Sequence, residues 1–160
     1  MILKRLFITI SFFFFAFTFV VNGQVTKQII LNVDTEKISR AAVKENCYFE
    51  GQNPGDDPGA FVTVAKVGDT LEWEGRPLNI DGEHTIWIKK IIRIGGPNIF
   101  DADEMENYDN ERGVRATIKK PTGRTKNKNI RYYRYKILFR IDSENEGPVY
   151  NLDPLIRSHN

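Results

Sequence analysis

The sequence predicts an all-β fold, an antiparallel sandwich of about eight strands, on three observations. Apolar and polar residues alternate with period two in segment after segment beyond residue 24. No stretch longer than a turn or two carries helical periodicity. Clusters of Gly, Pro, Asn and Asp cut the alternating runs at short intervals.

The first strand is set by Ile29, Leu31 and Val33, which alternate with Gln28, Ile30, Asn32 and Asp34 and are expected to face inward. Residues 35–42 are expected to hold a helical turn capped by Asp34 or Thr35. Val43, Cys47 and Phe49 mark a second strand. The run from Gly51 to Gly59 is a concentrated loop signal ahead of a strand over Phe61–Val67. Gly68-Asp69 then turns the chain into Thr70–Glu74, where Leu71 and Trp73 share a face, and a second loop covers Gly75–Gly82.

The apolar run His84–Ile94 is expected to cross the core with Ile86, Ile88, Ile92 and Ile94, and the adjacent Ile91 and Ile92 signal a bulge. Gly95-Gly96-Pro97 ends it, and the acidic stretch that follows reads as an exposed excursion. Val114, Ala116 and Ile118 resume alternation. The clearest pattern puts Tyr133, Tyr135, Ile137, Phe139 and Ile141 on one face of a central strand, with Arg134, Lys136 and Arg140 on the other. A turn at Asn145–Pro148 and a strand near Tyr150–Ile156 finish the chain.

Residues 1–23 read as a signal peptide: Lys4 and Arg5 precede the apolar run Leu6–Val21, and Gly23 supplies a small residue for cleavage. A membrane anchor needs about 20 apolar residues, and Thr9, Ser11 and Thr18 dilute a run that already falls short. The expectation is therefore an exported chain, periplasmic or extracellular, with one domain over residues 24–160 and no membrane anchor after cleavage. Without the leader the remaining chain holds 21 basic and 21 acidic residues, so the apparent basicity belongs to the leader. Cys47 is the only cysteine, which rules out an internal disulfide and reads as a small buried hydrophobe.

Two short motifs carry a resemblance. Gly68-Asp69-Thr70-Leu71-Glu72-Trp73, followed by Glu83-His84-Thr85-Ile86, resembles the cupredoxin pattern. Tyr135-Lys136-Ile137 through Tyr150-Asn151-Leu152-Asp153-Pro154 is similar to the terminal hairpin of inclusion-body-type secreted bacterial sandwich proteins. The resemblance implies a cupredoxin-like or immunoglobulin-like sandwich. A blue-copper site in such a fold needs two His, a Cys and a weak axial Met, and here only His84 falls at a matching position. No Cys stands near the carboxyl end.

Three constellations remain. Asp101, Asp103, Glu104, Glu106, Asp109 and Glu111 put six carboxylates in eleven residues, a candidate for weak calcium binding without the EF-hand spacing, and an acidic solvated loop in its bland form. Lys119, Lys120, Arg124, Lys126, Lys128 and Arg131, interleaved downstream with Tyr132 and Tyr133, form a basic hairpin tip suited to a polyanion or to protecting strand edges. Two His and scattered Ser39, Ser143 and Ser158 give no nucleophile signature, and no phosphate-binding glycine loop is present. The expected function is that of a secreted or periplasmic, non-catalytic binding or structural module with no cofactor. Its expected partner is an envelope or extracellular polyanion or protein, export making nucleic acid an unlikely one. The alternative is a metal-binding protein, calcium-stabilised at residues 101–111 or a degenerate cupredoxin using His84.

Overall fold

The computed structural model describes residues 23–79, 84–107, 111–121 and 132–159. The leader assignment and the tip of the basic hairpin lie outside them. Ten strands are present among the described residues: β1 (Thr26–Val33), β2 (Cys47–Phe49), β3 (Val62–Lys66), β4 (Thr70–Pro77), β5 (Ile86–Gly95), β6 (Glu104–Glu106), β7 (Val114–Thr117), β8 (Tyr132–Ile141), β9 (Tyr150–Leu152) and β10 (Leu155–His159). Helical structure is limited to single 3-10 turns at Lys44–Asn46 and Pro58–Ala60. The all-β sandwich expected from the alternation is the architecture found.

The smaller sheet has the order β2-β1-β4-β7, and the larger runs β3-β10-β8-β5-β6 with β9 beside β8. Both sheets are mixed, which corrects the purely antiparallel arrangement: β1 runs parallel to β4, and β3 parallel to β10. The cause is the Gly68 corner. Gly68, at φ 94°, turns the chain from β3 in one sheet to β4 in the other, so the two strands do not pair as a hairpin.

Asp69 holds that corner. Its side chain is 1% exposed and accepts from the backbone N–H of Lys66 at 3.0 Å and of Val25 at 3.4 Å. Lys27 stands 3.7 Å from the carboxylate and donates to the Val64 carbonyl at 2.8 Å, which occupies an acceptor of edge strand β3. Burial pushes the Asp69 carboxyl upward, but the two N–H donors and the lysine charges outweigh it and hold the group below the usual carboxylate range.

The core lies between the sheets. Leu31, Val33, Phe49, Leu71 and Trp73 project from the smaller sheet against Ile86, Ile88, Ile91, Tyr133, Tyr135, Ile137, Phe139 and Ile156 of the larger. Gly75 of β4 lets Ile86 pack directly onto its backbone, where a Cβ would collide with the Ile86 side chain. Four positions of the expected β8 stripe, from Tyr133 to Phe139, are buried, and Ile141 packs against the core edge. Asp34 begins the expected turn, its carboxylate accepting from the Glu36 and Lys37 backbone.

Two core expectations change. In β5 the register slips between Ile88 and Lys90, so parity reverses: Ile91 enters the core, Ile92 is half-buried and Ile94 is exposed. The excursion after Gly96 is not wholly exposed, because Ile99 and Phe100 are buried there and Phe100 meets Trp73 and Tyr133 edge to face.

Candidate functional site

The acidic excursion lies along the outer strand of the larger sheet, and β5 supplies its counter-charges. Asp103 accepts from Arg93 Nε at 2.6 Å. Lys90 Nζ lies 2.8 Å from Glu104 and 2.6 Å from Glu106. On the far side Glu144 takes Lys89 at 2.6 Å and also accepts from Asn107 at 3.0 Å. The Arg93 guanidinium holds the Asp103 carboxyl below its usual range, and the Lys90 ammonium does the same for Glu106. Asp101 is exposed at φ 60°, Glu111 is exposed, and Asp109 lies outside the described residues. Among the described residues no group of three His, Cys, Asp or Glu side chains is placed to hold a metal ion. The Lys89-Lys90 and Arg93 positions are the signal that sequence reading passed over.

His84 is engaged at the other end of the same strand. Its Nδ1 lies 2.7 Å from Asp142 Oδ2, while Asp142 Oδ1 accepts from the Thr85 backbone N–H at 3.0 Å and the Asp142 N–H donates to the Thr85 carbonyl at 2.7 Å. The arrangement clips the start of β5 to the end of β8. Cys47 sits in β2, paired in register with Val33 and 2% exposed, and burial pushes its thiol up to about 12. Met105 packs against the core from β6, and His159 closes β10, its carbonyl accepting from the Val67 N–H at 3.1 Å. Cys47, His84, Met105 and His159 are thus spread over β2, the segment just before β5, β6 and β10.

Basic residues gather differently. Lys119 and Lys120 are exposed just beyond β7, where the Lys119 N–H donates to the Ile99 carbonyl at 2.7 Å. The chain returns at Tyr132, whose carbonyl lies against Gly96 with no room for a Cβ. Both ends of the segment that carries Arg124, Lys126, Lys128 and Arg131 are therefore fixed on the Gly96–Ile99 stretch, although those four residues lie outside the described ones. The Ile118 carbonyl accepts from the Gly68 N–H at 2.8 Å, which brings the ends of β3 and β10 to the same end of the sandwich.

From there cations continue over the outer face of the larger sheet. Alternation turns Tyr132, Arg134 and Lys136 outward while Tyr133, Tyr135 and Ile137 fill the core. The β10 register sets Arg157 opposite Tyr132 and Leu155 opposite Arg134. Tyr132 is 37% exposed, and exposed Val64 lies one strand further, opposite Arg157. Among the described residues no carboxylate lies within ion-pair distance of Lys119, Lys120, Arg134, Lys136 or Arg157. Arg157 Nε is buried with no hydrogen-bond partner among them.

A cleft of about 480 Å³ opens where β7 parts from β4, lined by Glu72, Glu74, Gly75, Glu111, Arg112 and Arg115. Its charges are partly spent internally, since Arg115 Nε lies 2.6 Å from Glu72, and the Arg112 guanidinium lies over the Trp87 ring, 6.0 Å from its centroid.

No family model matches the chain, and no curated protein does. Among solved structures, the inclusion body protein PixA from Burkholderia cenocepacia J2315 is similar at 14% identity, over 88% of this chain and 98% of that one, with a TM-score of 0.48.

Proposed function

We propose that this is an exported, non-catalytic β-sandwich that acts by binding a negatively charged partner on its surface. The supporting observation is the asymmetry of its charges. The carboxylates of the acidic excursion nearest β5 are matched by Lys90 and Arg93, whereas Lys119, Lys120, Arg134, Lys136 and Arg157 meet no carboxylate among the described residues. Unpaired cations gathered on one side create a local positive field even when the chain without its leader has balanced formal charge.

Non-catalytic action accords with the placement of the reactive groups. Cys47 is buried and protonated, the Ser143 hydroxyl accepts from the Asn145 and Glu146 backbone, and His84 is held by Asp142 with no serine or cysteine hydrogen-bonded to it among the described residues. Fractionation of cells producing the full chain, with intact-mass analysis, tests export: the protein is expected outside the cytoplasm without residues 1–23. Retention on an immobilised sulfonated matrix, with elution by moderate salt, tests surface binding. Flow-through at low salt would contradict it.

A further inference from the structure

We propose that the outer face of the larger sheet, from Arg157 across Tyr132 and Arg134 to Lys136, is the docking surface for a linear anionic polysaccharide, an inference that rests on the surface-binding reading above. Arg134 and Lys136 occupy alternate positions of β8 and so stand about 7 Å apart along the strand, while neighbouring strands add a lateral step of about 5 Å. Arg157, opposite Tyr132, extends this row of charge toward the end of the sandwich where Lys119 and Lys120 stand exposed. A row of cations complements a flexible chain that bears repeated anionic groups.

Between the cations the face is apolar. Leu155 opposite Arg134, Ile92 opposite Lys136, and exposed Val64 and Tyr132 offer contact area to the C–H faces of sugar rings. The same features disfavour other occupants. A second copy docking this face on itself would oppose Arg134 and Lys136 to like charges. Single-stranded nucleic acid depends on aromatic platforms for successive bases, and Tyr132 is the one large aromatic that is well exposed among the described residues.

The test titrates the purified protein into fluorescein-labelled dextran sulfate, with neutral dextran and an oligothymidylate of similar charge as comparators. Dextran sulfate is expected to bind, and to weaken about tenfold or more when salt rises from about 50 to about 200 mM, as binding coupled to counterion release requires. Neutral dextran should not bind, and oligothymidylate should bind at least about fivefold more weakly, for want of stacking. Arg134→Glu combined with Lys136→Glu should cost about tenfold or more by placing like charge against the ligand. Arg134→Gln with Lys136→Gln, which preserves side-chain length, should lose part of that. Arg40→Glu, on the exposed loop after β1, reverses one charge away from this face and should keep full affinity. The proposal is overturned if folded wild type ignores dextran sulfate, if the glutamine pair binds like wild type, or if oligothymidylate binds as tightly, which would assign the face to nucleic acid. An uncleaved chain retained inside the cell would sink the export reading and leave these isotherms untouched.

Discussion

Trp73 Nε1 donates a hydrogen bond to the Tyr135 hydroxyl at 3.2 Å across the middle of the sandwich, with the two rings edge to face at 5.8 Å. The contact joins the smaller sheet to the larger inside the core, since Trp73 is 1% exposed and Tyr135 fully buried. Tyr135→Phe keeps the ring and strips the indole N–H of its acceptor. It should destabilise the fold by about 1–3 kcal/mol, the cost of an unmet buried donor, and shift the tryptophan emission. A variant that melts with wild type would show that the indole finds another partner.

Gly75 permits Ile86 to lie against the β4 backbone. Gly75→Ala inserts a methyl group into that contact and should cost about 1–3 kcal/mol by overpacking, read as a lower midpoint in chemical denaturation. A glycine kept only for flexibility would give the opposite sign, because alanine restricts the unfolded chain.

Asp69 makes stability pH-dependent in a defined direction. Its folded pKa is depressed, so its contribution is complete above the unfolded carboxylate value of about 3.9 and disappears as pH falls through the lower folded value. Asp69→Asn should therefore be less stable at neutral pH and lose less stability on acidification below about pH 4. Parallel acid-unfolding curves for the two proteins would remove Asp69 from its place at the corner.

Cys47 is 2% exposed, and burial holds its thiol at about 12. Native protein should react slowly with a thiol reagent at pH 8 and rapidly once unfolded, because the thiolate is both scarce and covered. Stoichiometric labelling within the mixing time would contradict that burial.

Strand-local features were legible in the sequence wherever period two ran unbroken. Residues Tyr133 to Phe139 announced β8, and with it the outward positions of Arg134 and Lys136. In β5 the extra residue at the Ile88–Lys90 slip reverses the inward set, so simple alternation chose Ile92 where the fold uses Ile91. Pairing between distant strands leaves no local trace: nothing near Thr26 or Thr70 indicates that β1 and β4 run parallel, and nothing near Arg157 indicates that it faces Tyr132. In sequence the acidic run reads as a metal candidate because its counter-charges are distant, on β5, where Lys90 and Arg93 are brought beside it by the sheet.

The central claim is most directly tested by the salt dependence of dextran sulfate binding in wild type and in the single neutral variants Arg134→Gln and Arg157→Gln. If these cations contact the ligand, each variant should bind more weakly and its plot of log Kd against log salt should be shallower by about one counterion. Variants that remain folded, with the affinity and slope of wild type, would contradict the account.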